Sequence, residues 1–433
     1  MVTFRVTPHP AEAQVLDGQG LARTLYSVGA DQGTGGEQVP VFLSVAMDQS
    51  GSMGGSKLDA AKQALITLLH QIPPTDDTVV HIALFSSSAH DLMPPMTGRQ
   101  LAAQLPDLTR RIQRIEAGGA TSLGSGLRLS LAAAGRYPNY ERRVLMITDG
   151  KQEGAEPIED AYETAQNLAR ARMRVDAWGV GNGWEADQLR TIAHNTGGEA
   201  DEIRDARHLG EAVAALFADV RSTRATDVRL ILNTPKGTTI RSVRQVYPSV
   251  QERAAQQVNE QQWAIPIGAL TQEEPKFVIE LQTTPRNAGI PFRVLVPTIA
   301  YSQGGAAQTD DLSRESWFFV RWVATPAEIR NDPELSRFTG EEEITSLSQE
   351  GFALLDVGAV EEATAKLNAA LQKAQQINSP QAAILSTVVN PQTGRLNSTD
   401  REAAVNKTGK LHTGKTGKLL SGTGKLPPNN PTK

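Results

Sequence analysis

A carboxylate and two hydroxyls occupy alternating positions directly after a short apolar run near the start of the chain. The run 41–47 predicts a buried strand, and Asp48, Ser50 and Ser52 follow it. Glycines in the same segment let the backbone turn tightly, so we expect the three side chains to point toward one place. Hard oxygen donors of this kind suit Mg2+, which takes six oxygens at about 2.0–2.1 Å. One carboxylate and two neutral hydroxyls leave positive charge on the ion, and an open position would attract an acidic group.

Two later segments offer further oxygen donors. Thr121 lies in a glycine-rich loop just before a predicted helix, and Asp149 ends a second apolar strand at 144–148. In an open parallel sheet the strand ends face one edge, where ligands bind. Asp48 and Asp149 are therefore expected to be near neighbours at that edge.

These five residues occur in a recognisable order. Asp48, Ser50, Ser52, Thr121 and Asp149 together resemble the metal-ion-dependent adhesion site of a von Willebrand factor A domain. The resemblance implies that the three hydroxyls contact Mg2+ (or Mn2+) directly or nearly so. It also implies that the two aspartates act largely through bound water, and that a carboxylate from a partner completes the coordination sphere.

This chemistry predicts a non-enzymatic binding or scaffold protein. A protein partner would supply an Asp or Glu to the metal, within a rim shaped by Gln49, Met53 and the loop near Thr121. A metal-dependent hydrolase using the same ion is the alternative, but it needs a general base, and none of the seven histidines lies in the candidate loops. A third hypothesis is a scaffold that acts only through its C-terminal tail.

The surrounding elements must bring these loops together. Residues 39–220 alternate strand and helix, which predicts an α/β fold with a doubly wound, mainly parallel, Rossmann-like sheet. Residues 221–325 contain short strands separated by turn residues, which is typical of a β-sandwich. Strands in residues 1–38 are expected to join that sandwich, so that the α/β domain is an insertion. The general shape is similar to that of bacterial A-domain proteins.

Residues 326–400 are predicted to be helical. A three–four apolar spacing between 360 and 377 follows Gly358, which favours a helical hairpin with a turn at this glycine. The apolar stripe is too short to indicate a coiled coil, and we expect it to pack on the sandwich.

Residues 401–433 form a low-complexity tail that we expect to be disordered. Thr-Gly-Lys recurs there, and its threonines are candidate phosphosites: Thr408, Thr413, Thr416 and Thr423. Each phosphate would add a charge of about −1.5 to −2 at pH 7. The family resemblance implies Ser/Thr kinases, phosphatases or phosphothreonine-binding domain proteins as partners. Six lysines and no acidic residue follow position 402, but without aromatic residues the tail predicts no specific nucleic-acid binding.

Composition excludes several classes of site and of protein. The 433 residues contain no cysteine, so disulfides, thiol catalysis and zinc–thiolate sites are excluded. No apolar run approaches the roughly 18–20 residues of a membrane helix, and no signal-peptide pattern is visible near Met1. We therefore expect a cytoplasmic protein without membrane contact.

Overall fold

The architecture is taken from a computed structural model of the chain. It describes residues 2–32, 39–154, 156–181, 183–203, 205–303 and 306–397. The predicted tail at 401–433, with its four candidate phosphosites, lies outside the described residues.

The helices and strands follow in chain order. The strands are β1 (Val2–His9), β2 (Glu12–Leu16), β3 (Leu21–Gln32), β4 (Val41–Asp48), β5 (Thr78–Phe85), β6 (Ala89–Thr97), β7 (Glu141–Thr148), β8 (Met173–Val180), β9 (Ala200–Ile203), β10 (Ala225–Asn233), β11 (Thr239–Tyr247), β12 (Gln251–Arg253), β13 (Gln256–Asn259), β14 (Gln262–Leu270), β15 (Lys276–Gln282), β16 (Phe292–Gln303), β17 (Ala306–Asp311) and β18 (Phe318–Val323). The helices are α1 (Ser56–Gln71), α2 (Gly98–Gln113), α3 (Leu123–Ala134), α4 (Ile158–Arg170), α5 (Ala186–Asn195), α6 (Leu209–Arg221), α7 (Pro333–Asp356), α8 (Val360–Gln376) and α9 (Gln381–Leu385).

The chain divides into two compact units. One contains Phe42–Arg136 and Arg142–Ala218, and we call it the α/β unit. Within its described residues a six-stranded sheet has the order β6-β5-β4-β7-β8-β9. Strands β7, β8 and β9 pair in parallel, whereas β6 is an antiparallel edge strand on β5. The prediction of a mainly parallel α/β sheet is confirmed.

Burial explains why β4 and α1 form as they do. All eight residues of β4 are buried, as expected for a central strand covered on both faces. Helix α1 buries one face, and its buried positions recur every three or four residues: Leu58, Ala61, Ala64, Leu65, Leu68 and Leu69. The helix ends at Gln71, just before Pro73, because a proline disfavours helical backbone in the residue that precedes it. The end of β4 is thus held rigidly between packed layers.

The second unit contains a β-sandwich built from distant parts of the chain. One sheet has the order β1-β3-β15-β11-β12, and the other has the order β13-β14-β10-β16-β18-β2 with β17 on β16. Strand β3 pairs antiparallel with β15, and β2 pairs in parallel with β18. N-terminal strands therefore lie in both sheets of the sandwich, and residues 42–218 fall between strands of this unit in the sequence.

The helical hairpin has a different packing partner from the one predicted. Helices α7 and α8 are joined at Gly358, whose φ of +74° is a left-handed conformation that glycine adopts easily. The stripe on α8, including Leu367 and Leu371, packs with Phe352 of α7. Phe338 of α7, not the α8 stripe, contacts the sandwich. The predicted docking of the stripe on the sandwich is wrong, because α7 covers that stripe.

Strands β2, β12, β13 and β17 were not predicted from the sequence. All four residues of β13 are exposed, and Val258 is its single apolar residue, so no alternating pattern marks that strand.

None of the helices in the described part of the chain combines the length and the apolar character needed to cross a bilayer.

Candidate metal centre

Three loops meet at the edge of the sheet where β4 and β7 end. The Gln49 amide donates to the carbonyl of Phe85 over 2.8 Å, which fixes the chain as it leaves β4. The Gly118 amide donates to the Gln49 carbonyl over 2.8 Å, and the Gly51 amide donates to the Gly119 carbonyl over 3.0 Å. The backbone therefore joins the loop after β4 to the glycine-rich loop before α3.

The hydroxyls of the first loop reach across to the end of β7. Ser52 Oγ donates to Asp149 Oδ1 over 2.8 Å, and Ser50 Oγ lies 3.1 Å from Ser52 Oγ. Ser50 and Asp149 are buried, whereas Ser52 is exposed. Three of the predicted oxygen donors thus form one hydrogen-bonded chain that is open to solvent at Ser52.

Asp48 lies beneath this chain and is fully buried. Its Oδ1 accepts the Ser50 amide over 2.7 Å, and its Oδ2 accepts the Thr148 hydroxyl over 2.5 Å. Burial raises the pKa of the Asp48 carboxyl above its usual value, although both hydrogen bonds oppose this shift. Since burial disfavours the ionised form of Asp48, a nearby cation would stabilise its carboxylate.

Thr121 completes the cluster from the glycine-rich loop. It is only 2% exposed, and its carbonyl accepts the Glu153 amide over 2.8 Å. A methyl group placed on Gly150 would lie 3.1 Å from Thr121 Oγ1 and 3.6 Å from Ser52 Oγ. Both hydroxyls therefore border the space beside Gly150, and all five predicted ligand residues are brought together.

The donor set fits a hard divalent cation. Its members are two carboxylates and three hydroxyls, which suit Mg2+ or Mn2+ and do not favour softer metals. The described residues contain no group of three or more acidic, histidine or cysteine side chains that could hold a metal, so the hydroxyls are needed as ligands. A cation already stands in at the site, because the Lys57 ammonium contacts Asp149 Oδ2.

Comparison with known families agrees with this arrangement. The family model of the von Willebrand factor type A domain matches residues 43–215. Residues 43–215 form a von Willebrand factor type A domain. Domains of this family typically mediate metal-dependent protein interactions.

Individual relatives resemble parts or all of the chain. An uncharacterised protein of Synechocystis is 24% identical over 197 residues, which is 45% of this chain and 45% of that protein. Inter-alpha-trypsin inhibitor heavy chain H1 of Mesocricetus auratus is 27% identical over 198 residues, which is 43% of this chain and 21% of that protein. The chain thus spans less than half the length of these two curated relatives. A solved von Willebrand factor type A structure from Catenulispora acidiphila has a TM-score of 0.80 over 96% of both chains at 23% identity, a likeness of fold.

The predicted rim of the type A domain needs one correction. Met53 is fully buried in the hydrophobic core with Leu58 and Leu65, so it does not line a surface that a partner could reach. The 3-10 turn Gly51–Met53 points this side chain inward, which a loop assignment from sequence does not anticipate. Gln49 is partly exposed and stays a candidate rim residue.

A shallow cleft lies beside the Thr121 loop of the type A domain. Its volume is about 410 Å3, and its lining is mostly hydroxyl-bearing or charged: Ser87, Ser88, Ser122, Ser125, Arg128, Glu153 and Glu156, with Ala120 and Gly154. Arg128 forms an ion pair with Glu156, which also accepts the Ser122 hydroxyl. The cleft offers polar contacts next to the candidate metal position.

Sequence reasoning missed two residues that shape the site. Thr148 holds the buried carboxylate of Asp48, and Lys57 pairs with Asp149. A signal for Lys57 was present, because a cation in the first turn of a helix opposes the helix dipole and calls for another partner. Thr148 gave no comparable signal, since a threonine within a strand is ordinary.

A buried polar chain elsewhere in the type A domain predicts a dependence of stability on pH. His81 is fully buried, with Nδ1 2.8 Å from Ser44 Oγ and Nε2 2.8 Å from Asp91 Oδ1. The order Ser–His–Asp resembles a hydrolase triad, but Ser44 is also fully buried, so no substrate can reach its hydroxyl. Burial lowers the pKa of His81.

Since the folded state holds His81 less protonated than the unfolded chain, its contribution to stability is present above the unfolded pKa of about 6.5 and is lost as pH falls below it. We expect the melting temperature in chelator to fall between pH 7.5 and 5.5, values that bracket this pKa of about 6.5. His81→Gln should flatten that dependence. Circular dichroism melts at matched ionic strength measure it, and an equally steep loss in both proteins would rule out His81 as the cause.

Proposed function

We propose that this chain is a non-enzymatic, metal-dependent protein-binding or scaffold protein. Its donors would be Asp48, Ser50, Ser52, Thr121 and Asp149, and Mg2+ or Mn2+ would be the ion. The observation that carries the proposal is the convergence of three hydroxyls and two carboxylates from three separate loops at one sheet edge.

The protein side chains have distinct parts in this proposal. When bound, the metal would supply a Lewis-acidic position that accepts a carboxylate oxygen. Ser50 and Thr148 orient the Asp48 carboxylate through hydrogen bonds of 2.7 and 2.5 Å. Ser52 and Lys57 orient the Asp149 carboxylate by contacting different oxygens. The contacts of Ser50, Thr148 and Ser52 hold both acids in place before a metal arrives, which reduces the entropy lost on binding.

The partner is proposed to be a protein that presents an Asp or Glu. The exposed hydroxyl of Ser52 leaves one side of the donor cluster open. Beside that opening, the cleft lined by Ser87, Ser88 and Arg128 has polar groups that can bind residues flanking the acidic one. Interfaces of this kind combine one central polar anchor with a rim of hydrogen-bonding groups.

We further propose that the chain acts in Ser/Thr phosphorylation signalling through threonines of its tail. Phosphates on Thr408, Thr413, Thr416 or Thr423 would create ligands for an arginine-lined phosphothreonine reader. Phosphopeptide mapping of protein purified from its native cytosol tests this directly. Unmodified tail peptides under conditions that preserve phosphate would contradict it.

A capture experiment tests the proposed function. The immobilised full chain is incubated with native cytosol in Mg2+, in EDTA, and in EDTA followed by excess Mn2+. We expect partners that are captured in Mg2+, absent in EDTA and regained in Mn2+, and absent with Asp149→Ala. Lys62→Gln, in helix α1 but outside the donor set, should capture normally.

Two outcomes would contradict the proposal. Capture that persists in EDTA would assign binding to another surface. If deleting residues 401–433 then abolished that EDTA-resistant capture, the result would favour a scaffold that acts through its tail. Mg2+-dependent release of phosphate from ATP or from a phosphomonoester by the purified chain, abolished by Asp149→Ala, would favour a hydrolase.

A further inference from the structure

Lys57 places a positive charge directly at the candidate metal centre. It lies in the first turn of α1, and its side chain is 32% exposed. Its Nζ contacts Asp149 Oδ2 and lies 3.3 Å from the Ser52 carbonyl oxygen. The Asp149 side chain is fully buried, so solvent screens this ion pair less than an exposed one.

The loop after β8 holds the Lys57 side chain in this position. A methyl group placed on Gly181 would lie 3.4 Å from Lys57 Cε and 4.0 Å from its Nζ, so the aliphatic stem lies along the Gly181 backbone. Trp184 Nε1 donates to the Gly181 carbonyl over 3.0 Å. The Trp184 ring in turn covers Gly179, where a Cβ would lie 2.0 Å from a ring atom. Glycines and an indole ring therefore shape the support for one lysine.

The two oxygens of Asp149 are used by different partners. Oδ1 accepts the Ser52 hydroxyl over 2.8 Å, while Oδ2 contacts the Lys57 ammonium. Lys57 can therefore stay paired with Oδ2 when the hydroxyl side of the carboxylate turns to a metal. The lysine then contributes its charge to the loaded site as well as to the metal-free one.

The formal charges of the site show how Lys57 changes the net charge once a divalent cation is bound. Asp48 and Asp149 together balance one divalent cation, and Lys57 adds one positive charge to that neutral set. We propose that Lys57 is a resident counter-cation that weakens divalent metal binding and leaves the loaded site positively charged toward an anionic carboxylate. Lys57 is thus a specificity-determining residue, and this inference rests on the proposed metal-dependent function.

Metal affinity is the first test. Titration calorimetry with Mn2+ is carried out on the wild-type chain, Lys57→Gln, Lys57→Arg and Lys62→Gln. Removing one repelling charge that is partly screened should tighten Mn2+ binding by about fivefold in Lys57→Gln. Lys57→Arg keeps the charge, and Lys62→Gln removes a charge from the same helix away from Asp149, so both should resemble the wild type. Melting in EDTA establishes that each variant is folded.

Anion binding is the second test, with acetate as the probe. Acetate that enters the coordination sphere of bound Mn2+ displaces water, which lowers the water-proton relaxation rate. We expect Lys57→Gln to need about fivefold more acetate than the wild type for the same decrease.

The outcomes separate this inference from the proposed function. Equal or weaker Mn2+ affinity in Lys57→Gln, or equal acetate sensitivity, overturns the role of Lys57 alone. If neither the wild-type chain nor Lys57→Gln binds Mn2+, both the role of Lys57 and the proposed function are overturned. Bound Mn2+ in the wild type that no acetate reaches overturns the proposed open position and, with it, the charge argument.

Discussion

Replacing Asp48 by asparagine is expected to weaken Mn2+ binding by about 100-fold or more, since the variant removes one of two metal-directed carboxylates and its charge. The same substitution should make the metal-free protein more stable at pH 7. Burial raises the pKa of Asp48, so its stabilising contribution is present below the unfolded value of about 3.9 and is lost as the pH rises above it. Asparagine can still accept the Ser50 amide and can donate to Thr148 without carrying a buried charge.

The two effects therefore have opposite signs, and each has its own measurement. Calorimetry gives the Mn2+ affinity, and thermal melts in EDTA give the stability of the metal-free state. Asp59→Asn is the matched control, because it removes an exposed carboxylate from the first turn of α1. Mn2+ affinity within threefold of the wild type in Asp48→Asn would contradict the metal assignment. A lower melting temperature in EDTA would contradict the argument from burial.

The position of the candidate site was predictable because it depends on strand ends. The runs before Asp48 and Asp149 are continuous and apolar, and such runs are buried strands of a covered sheet. Parallel strands end at a common edge, so two carboxylates at those ends become neighbours without any further information. The positions of the Ser50 and Ser52 hydroxyls follow from local spacing, since alternate residues of a turning loop lie on the same side.

Other features depend on contacts that local pattern does not contain. Met53 lies among the hydroxyls in sequence, yet its side chain packs in the core, because a single 3-10 turn has no repeating apolar spacing to reveal its buried face. Lys57 and Asp149 are far apart in the chain and meet only when α1 packs on the sheet. The stripe on α8 was recognised correctly, but apolar spacing identifies a buried face and not the element that covers it.

The contact between Lys57 and Asp149 also bears on the choice between binding and hydrolysis. A hydrolase using this ion would need a base that can accept a proton beside the metal. In the structure, Asp149 is occupied by Ser52 and Lys57, and Asp48 is buried beneath the hydroxyls. His81 is buried with Ser44 and Asp91 in the polar chain described above. These contacts leave Asp48, Asp149 and His81 poorly placed to accept a proton from water.

Replacing Gly150 by valine is expected to weaken Mn2+ binding by about 10–100-fold while every proposed ligand residue stays in place. A Cβ at this position would lie 3.1 Å from Thr121 Oγ1 and 3.6 Å from Ser52 Oγ, so the branched side chain would fill the space that the two hydroxyls share. The loss would come from exclusion of the ion, with no change in donor chemistry. Calorimetry with Mn2+ measures the affinity, and melting in EDTA establishes that the variant folds.

Gly51→Val provides the matched control for this steric argument. Gly51 lies in the same cluster of loops, but a Cβ there would be no closer than 3.7 Å to its nearest neighbour, the Gly119 carbonyl oxygen. It should therefore bind Mn2+ nearly as the wild type does. If Gly150→Val folded and kept wild-type affinity, the metal could not occupy the space between Thr121 and Ser52, and the donor set would have to be reassigned. If both variants lost affinity equally, the effect would reflect general disturbance of the loops, and the steric explanation would fail.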